Sequence, residues 1–278
     1  MNLEALKRFI YWITERESIR RLKEEGREKP WTEDKILQTY RFCNVRRMDD
    51  KVSQWLLNNW YEPNFDHPNA LVACGLARFI NLPESLELIT SLVFTDSGNP
   101  KWAKIKSVLR KKKAVGDKIF NGAYMVRGND GQDKVESVVE YYCNPLAKIK
   151  PYTDSMEETW NRVQQSYGMG SFMAGQVVSD LRWAMGGAWY DCTEWAPMGP
   201  GSKRGINRLY DRPKNDPLNQ NEFLHRLTQV KTKCCLKIPT EITTRLEMID
   251  WQNCLCEFDK YERVRLGEGK PKSLYLGV

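Results

Sequence analysis

The chain has 278 residues, 28% of them charged and 41% hydrophobic, with 43 Lys and Arg against 36 Asp and Glu for a formal net charge of +7. That balance excludes a disordered or collagen-like chain, and the length is enough to bury a sizeable core in one large domain or two small ones. No run reaches the roughly 18 apolar residues of a membrane span, the charged N-terminus is unlike a secretory signal, and the modest basic excess favours an anionic partner.

Taken in chain order, the elements are overwhelmingly helical. Leu3, Leu6, Ile10 and Ile13 form an apolar stripe at helical spacing, continued by the polar Glu15 to Glu25 and ended by Gly26. Pro30-Trp31-Thr32 predicts a second helix with Thr32 as its N-cap, running through Ile36, Leu37 and Tyr40. A third begins at Asp49-Asp50, and three more cover Asn69 to Phe79, Pro83 to Phe94 and Pro100 to Lys111. Between Gly116 and Gly131 the rhythm breaks: Ile119-Phe120 and Ala123 to Val126 read as a short extended pair before the turn at Gly128 to Gly131.

Helices resume over Lys134 to Cys143. Ser155-Met156-Glu157-Glu158 has the form of a capping box and opens a helix bearing Trp160 and Val163. Tyr167-Gly168-Met169-Gly170-Ser171 then turns into a second helix with Met173, Ala174, Val177, Val178 and Leu181 inward, so residues 156–185 read as a helix-hairpin-helix. Gly186 to Pro217 is rich in glycine and proline and reads as a long functional loop. Helices over Glu222 to Val230 and Glu241 to Tyr261, then a basic tail from Arg263 to Lys272, close the chain. There is no internal repeat. One composite helical domain over 1–278 is expected, with an N-terminal part to residue 115 and a second part over 116–278.

Four groups of residues could carry chemistry. In the Gly168-x-Gly170 turn, backbone amides at a helix N-terminus can approach a nucleic-acid phosphate, with Ser171 beside them, and Asp191 lies 21 positions beyond Gly170. Gly199-Pro200-Gly201-Ser202-Lys203-Arg204-Gly205 combines flexible backbone with hydroxyl and cationic donors, as a pyrophosphate or DNA phosphate cradle would, though its spacing is not that of a Walker loop. Arg46 and Arg47, next to Asp49 and Asp50, can bind anions or pair locally. Lys111 to Lys113 read as a solvated helix face within reach of a DNA backbone. The eight cysteines read as reduced thiols: Cys234-Cys235 and Cys254-x-Cys256 lack metal-binding spacing, and His67 and His225 are the two histidines.

The hairpin followed by Asp191 resembles the DNA glycosylases built on this motif, whose catalytic aspartate follows the second helix at about this distance. Phe172 stands where the lyase-active members keep a lysine, and the spacing of the four-cysteine cluster of some members is absent. A second resemblance covers nearly the whole chain, with residues 60–115 carrying little of it. Glu15-Arg16-Glu17, Pro30 to Leu37 and Arg41-Phe42-Cys43-Asn44-Val45-Arg46-Arg47-Met48-Asp49-Asp50 resemble the helical domain of bacteriophage thymine-hypermodification proteins, a block also appended to 5-hydroxymethyluracil DNA kinases. Tyr167 to Ala174, Trp189-Tyr190-Asp191, Gly199 to Gly205 and Leu255-Cys256-Glu257-Phe258-Asp259-Lys260-Tyr261 resemble the α-glutamyl/putrescinyl thymine pyrophosphorylases, viewed as amino acid or amine:DNA transferases.

The resemblance implies a mostly α, helix-hairpin-helix glycosylase-like fold with a long Gly/Pro-rich active-site loop. It implies transfer of an amino acid or amine onto pyrophosphorylated 5-hydroxymethyluracil in DNA, on an extruded base, in the cytoplasm of a phage-infected host. On that reading Asp191 is the base or electrostatic partner of the amine. Ser202, Lys203, Arg204, Arg46 and Arg47 hold pyrophosphate, Glu257, Lys260 and Tyr261 complete the site, and Gly168, Gly170 and Ser171 grip the DNA backbone. No cofactor is expected beyond a divalent metal accompanying pyrophosphate, and other enzymes of the pathway are candidate partners. A DNA N-glycosylase and a non-catalytic DNA-binding helper of a kinase are the alternatives.

Overall fold

The computed structural model describes residues 1–121, 128, 131–150, 155–186, 189–271 and 274–275. The chain divides into two compact units, residues 1–50 with 193–278, and residues 51–192. The division therefore falls at 50/51 and 192/193 rather than at 115/116. Among the described residues there is no strand, and the all-α expectation holds. Among the described residues, eight helices of eight or more residues carry the architecture: α1 Leu3–Glu24, α2 Ala70–Ile80, α3 Trp102–Ala114, α4 Met156–Val163, α5 Gly170–Ala184, α6 Pro200–Leu209, α7 Gln220–Cys235 and α8 Met248–Arg265.

In the first unit, α1 is capped by the Asn2 side chain, which accepts from the Ala5 amide. Glu4 in its first turn and Arg21 and Lys23 in its last complement the helix dipole. Its stripe of Leu6, Phe9, Trp12 and Ile13 packs into a core with Ile206 and Leu209 of α6, Phe223 and Leu227 of α7, and Trp251, Leu255 and Phe258 of α8. The next helix is shorter than predicted, Lys35–Thr39, and its N-cap is Asp34 rather than Thr32. Asp34 Oδ1 accepts from the Ile36 and Leu37 amides at 2.8 and 3.2 Å, while the Thr32 hydroxyl donates to Glu15.

Within the stretch read as a long loop, Pro200–Leu209 forms α6, and the other described residues are turn or irregular. Ala196 and Trp195 are buried, and Gly199 opens α6 in a capped turn. Gly201 and Gly205 are one helical turn apart and face α8: a Cβ on Gly201 would sit 2.2 Å from Cys256 Sγ, and one on Gly205 would sit 2.4 Å from the Leu255 carbonyl oxygen. The two glycines are thus explained by close approach of α6 and α8, not by flexibility toward a ligand.

In the second unit, α2 is buried along its whole length and α5 packs on it. A helix that is apolar all round belongs inside, and α2 is one except for Arg78. The guanidinium of Arg78 donates to both oxygens of Asp180 on α5, Nε at 2.6 Å and Nη2 at 2.5 Å, and the Tyr61 hydroxyl donates to the same carboxylate at 2.6 Å. All three side chains are buried. Tyr61 closes a π-helical turn, Leu56–Tyr61, and a second π-helical turn spans Ser137–Cys143. The predicted helix Pro83 to Phe94 is two short pieces, Pro83–Glu87 and Thr90–Val93. Ile119 and Phe120 form no strand, and Ala123 to Val126 lie outside the described residues.

Candidate nucleic-acid interface and the carboxylate beside it

The helix pair predicted over 156–185 is present as α4 and α5. Ser155 caps α4, its hydroxyl accepting from the Glu158 amide at 3.2 Å. The Glu158 carboxylate pairs with Arg162 at 2.6 Å. The Trp160 indole N–H donates to the Ser171 carbonyl at 2.9 Å and ties α4 to the first turn of α5. Between the helices, Gly168 and Gly170 have φ of +76° and +41°. Their reasons differ. A Cβ on Gly168 would fall 2.1 Å from the Tyr142 ring, which lies flat between Phe79 and Tyr167 at centroid distances of 5.2 and 6.0 Å. Gly170 has no atom within 4 Å of its Cβ direction, so there only the left-handed backbone asks for glycine.

The α5 N-terminus carries no side-chain cap. Its positive dipole end opens beside exposed Gly170 and Ser171, with Tyr167 62% and Phe172 36% exposed. Large aromatics exposed next to an uncapped helix start suit a phosphate-and-base surface better than a core.

Asp191 is buried in the same unit, and its carboxylate caps α4. Oδ1 accepts from the Met156 amide at 2.7 Å, and Oδ2 accepts from the Ser155 hydroxyl at 2.8 Å and the Glu157 amide at 3.0 Å. Oδ2 is therefore saturated and Oδ1 keeps one lone pair. The neighbouring Tyr190 is 75% exposed. Sequence spacing placed Asp191 beyond the hairpin; that it is held by the hairpin's first helix is a tertiary fact.

The other predicted site residues lie in the first unit, arranged around α8. Ser202 does not reach a ligand: it is fully buried, accepts from the Gly199 amide at 2.9 Å and from Gln252 Nε2 at 3.0 Å, and donates to the Gly199 carbonyl. Arg204 donates to Asp259 at 2.7 Å and shares that carboxylate with Arg208. Lys203 pairs with no acid among the described residues. Arg46 pairs with Asp49 at 3.4 Å, and Asp49 is also held by Arg20 and Arg245. Arg47 is buried, its amide donating to Asp250 at 2.8 Å.

Glu257 accepts from the Cys43 amide at 2.9 Å and from Lys260 at 2.6 Å, and Lys260 lies over the Phe42 ring at 4.8 Å. Burial works against the Lys260 ammonium, but Glu257 and the Cys43 thiol outweigh it and hold its pKa above the ordinary value. The Tyr261 hydroxyl donates to Asp34 at 2.7 Å, and burial and that carboxylate raise its pKa. Arg16, in the polar half of α1, reaches inward to donate to the Cys43 carbonyl at 3.1 Å and to Asn44. All eight cysteines are free, and burial pushes the Cys256 thiol up to about 12, which leaves it protonated and unreactive at neutral pH. Among the described residues no group of three His, Cys, Asp or Glu is placed to hold a metal ion.

Asp250 bears on stability. Burial raises its pKa from 3.8 to about 6, against the opposing pull of the Arg47 amide and of Arg46 and Arg47, with Asp49 adding to the rise. A carboxyl that binds its proton more tightly when folded favours folding while protonated. That contribution is full below about pH 4 and is lost as pH rises through about 6. Asp250→Asn is expected to flatten the pH dependence of unfolding free energy between pH 4 and 6 by roughly 2–3 kcal/mol relative to the parent, measured by urea titration across that range. Parallel curves for the two proteins would contradict the assignment.

Residues 3–271 match the family described as 5-hmdU DNA kinase, helical domain. The chain belongs to that family. A 5-hmdU DNA kinase of Bacillus phage SP10 is 25% identical over 211 residues, which is 67% of this chain and 33% of that protein. The chain thus spans about one third of the length of the curated relative it matches. No solved structure matches it.

Proposed function

We propose that this chain modifies 5-hydroxymethyluracil in DNA, transferring an amino acid or amine onto the pyrophosphorylated base. The reading is carried by the match of residues 3–271 to the helical domain of the 5-hmdU DNA kinases, which ties the chain to hydroxymethyluracil in DNA. In the reaction, the bond from the exocyclic carbon to the pyrophosphate oxygen breaks, a carbon–nitrogen bond forms, and the amine gives up one proton. The carbon is allylic to the uracil ring, so loss of pyrophosphate can lead attack. The target base leaves the stack to be reached.

Gly168, Gly170 and Ser171 seat the DNA backbone at the α5 N-terminus, and exposed Tyr167, Phe172 and Tyr190 offer surfaces for bases. The spare lone pair of Asp191 Oδ1 faces the amine as an electrostatic partner, its position fixed by the hydrogen bonds from α4. Within the first unit, Lys203 keeps a charge available to an anion among the described residues, whereas Arg204 is shared with Asp259. Ser202 drops out of this list. A divalent metal would accompany pyrophosphate rather than reside in the protein.

A second reading, a non-catalytic DNA-binding helper of a kinase, draws on the same carboxylate: three donors from one helix start are what a purely structural cap would show. Mass spectrometry of nucleosides, after the chain is incubated with pyrophosphorylated hydroxymethyluracil DNA and a pool of amino acids and polyamines, tests the transfer. The expected product is an aminomethyl-linked base with release of pyrophosphate. DNA binding with unchanged nucleosides would favour the helper, and alkali-labile abasic sites would identify a glycosylase.

A further inference from the structure

The outer face of α3 is a cationic groove that neither the hairpin nor the Asp191 site uses. α3 buries Ile105 and Leu109 and turns its opposite side to solvent. That side holds a shallow, open groove lined by Ala103, Lys106, Ser107, Arg110, Lys111 and Ala114, all from α3 itself. Ala103, Ser107 and Ala114 recur at helical spacing and form a floor of small side chains. Cations border it on both sides, and the two borders differ.

On one side Lys106 is held by Glu136 and Glu140 at 2.8 and 3.0 Å, and Arg110 by Asp133 and Glu136 at 2.6 Å each. Those acids take up the charge of that border and fix its side chains. On the other side Lys104 and Lys111 are exposed and pair with no acid among the described residues, and the same holds for Lys101, Lys113 and Lys118 nearby. Asp117 is the acid within that stretch. The residual charge is therefore positive, and Lys104 and Lys111 share one side of the helix.

We propose that this face binds the phosphate backbone of duplex DNA outside the hairpin contact. Lys104 and Lys111 are seven residues apart, about 10 Å along the helix axis, which matches about three base-pair steps of 3.4 Å on a strand running beside it. The floor of alanine and serine lets the backbone come close, and the lysines are compact, mobile charges suited to phosphates without reading sequence. The proposal takes from the proposed function only that the chain works on DNA.

The test is fluorescence anisotropy with the full chain and a labelled, unmodified duplex of about 20 base pairs across a salt series. Lys104→Gln/Lys111→Gln should weaken binding on the order of tenfold near 0.1 M salt and reduce the salt slope by roughly 1.8, about 0.9 for each lost phosphate contact. Ser107→Glu, which places a carboxylate on the exposed groove floor, should weaken binding with circular dichroism and melting temperature unchanged. Parent affinity and slope in both variants would overturn the proposal, as would absence of DNA binding by the parent. An equal loss in Lys233→Gln/Lys237→Gln, on exposed positions of the other unit, would overturn it too, because only net charge would then matter. Product formation on pyrophosphorylated DNA is read separately. Transfer with unaltered binding in the α3 variants sinks this surface alone, and α3-dependent binding without transfer sinks the proposed chemistry alone.

Discussion

Replacing Asp180 by asparagine is expected to destabilise the 51–192 unit by about 3–5 kcal/mol, the cost of leaving a buried guanidinium without its counter-charge. Asp180 is fully buried and Arg78 nearly so, and the pair is bidentate at 2.5–2.6 Å. The carboxylate also takes the Tyr61 hydroxyl, so it joins α2, α5 and the Leu56–Tyr61 turn. Burial and Asp180 raise the Tyr61 pKa well above its ordinary value, so the phenol stays a donor at all working pH values. Asparagine can keep one acceptor but not the charge.

The double substitution Arg78→Met/Asp180→Leu removes both charges, and it should recover most of the loss, since a well-packed apolar pair often equals or exceeds a buried ion pair. Urea denaturation followed by circular dichroism measures both. A cost below about 1 kcal/mol for Asp180→Asn would mean that apolar packing of α2 on α5, not the ion pair, holds the unit together.

Asp191→Asn is expected to reduce transfer to about 1% of the parent rate or less, the range lost when a positioned proton acceptor or its charge is removed. The same change costs stability, because an amide nitrogen at either carboxylate position faces a donor: the Met156 amide on one side, Ser155 and Glu157 on the other. That penalty is about 1–3 kcal/mol. Ser155→Ala separates the two effects. It removes the α4 cap for about 1 kcal/mol while leaving the Asp191 charge in place. If Ser155→Ala and Asp191→Asn lost activity in the same proportion as they lost stability, Asp191 would be a structural cap and the helper reading would stand. Full transfer by a folded Asp191→Asn protein would exclude its role at the amine.

Helix positions were legible wherever a local signal carried them. The stripe Leu6 to Ile13, Gly26 with φ +70° as its stop, and Ser155 as the α4 cap follow from periodicity and terminal hydrogen bonding, which a sequence displays directly. Thr32 misled because its hydroxyl found Glu15, 17 residues away, and the nearby Asp34 took the amides instead. The Gly199 to Gly205 stretch misled more deeply. Glycine, serine and cations in a row read equally well as a phosphate cradle and as a helix that must lie against another helix. Only the position of Leu255 and Cys256 decides between them.

The sequence by itself determined an all-α chain, a basic excess, the α4–α5 pair with its left-handed glycines, and the carboxylate at Asp191 that follows it. These depend on neighbours a few residues apart. Tertiary structure alone decided which polar groups remain available for chemistry. It sealed Ser202, tied Arg204 to Asp259 across 55 residues and joined Arg78 to Asp180 across 102, while leaving Lys203, Lys104 and Lys111 without acids among the described residues. Burial and pairing depend on what the fold brings alongside, and residue order does not show that.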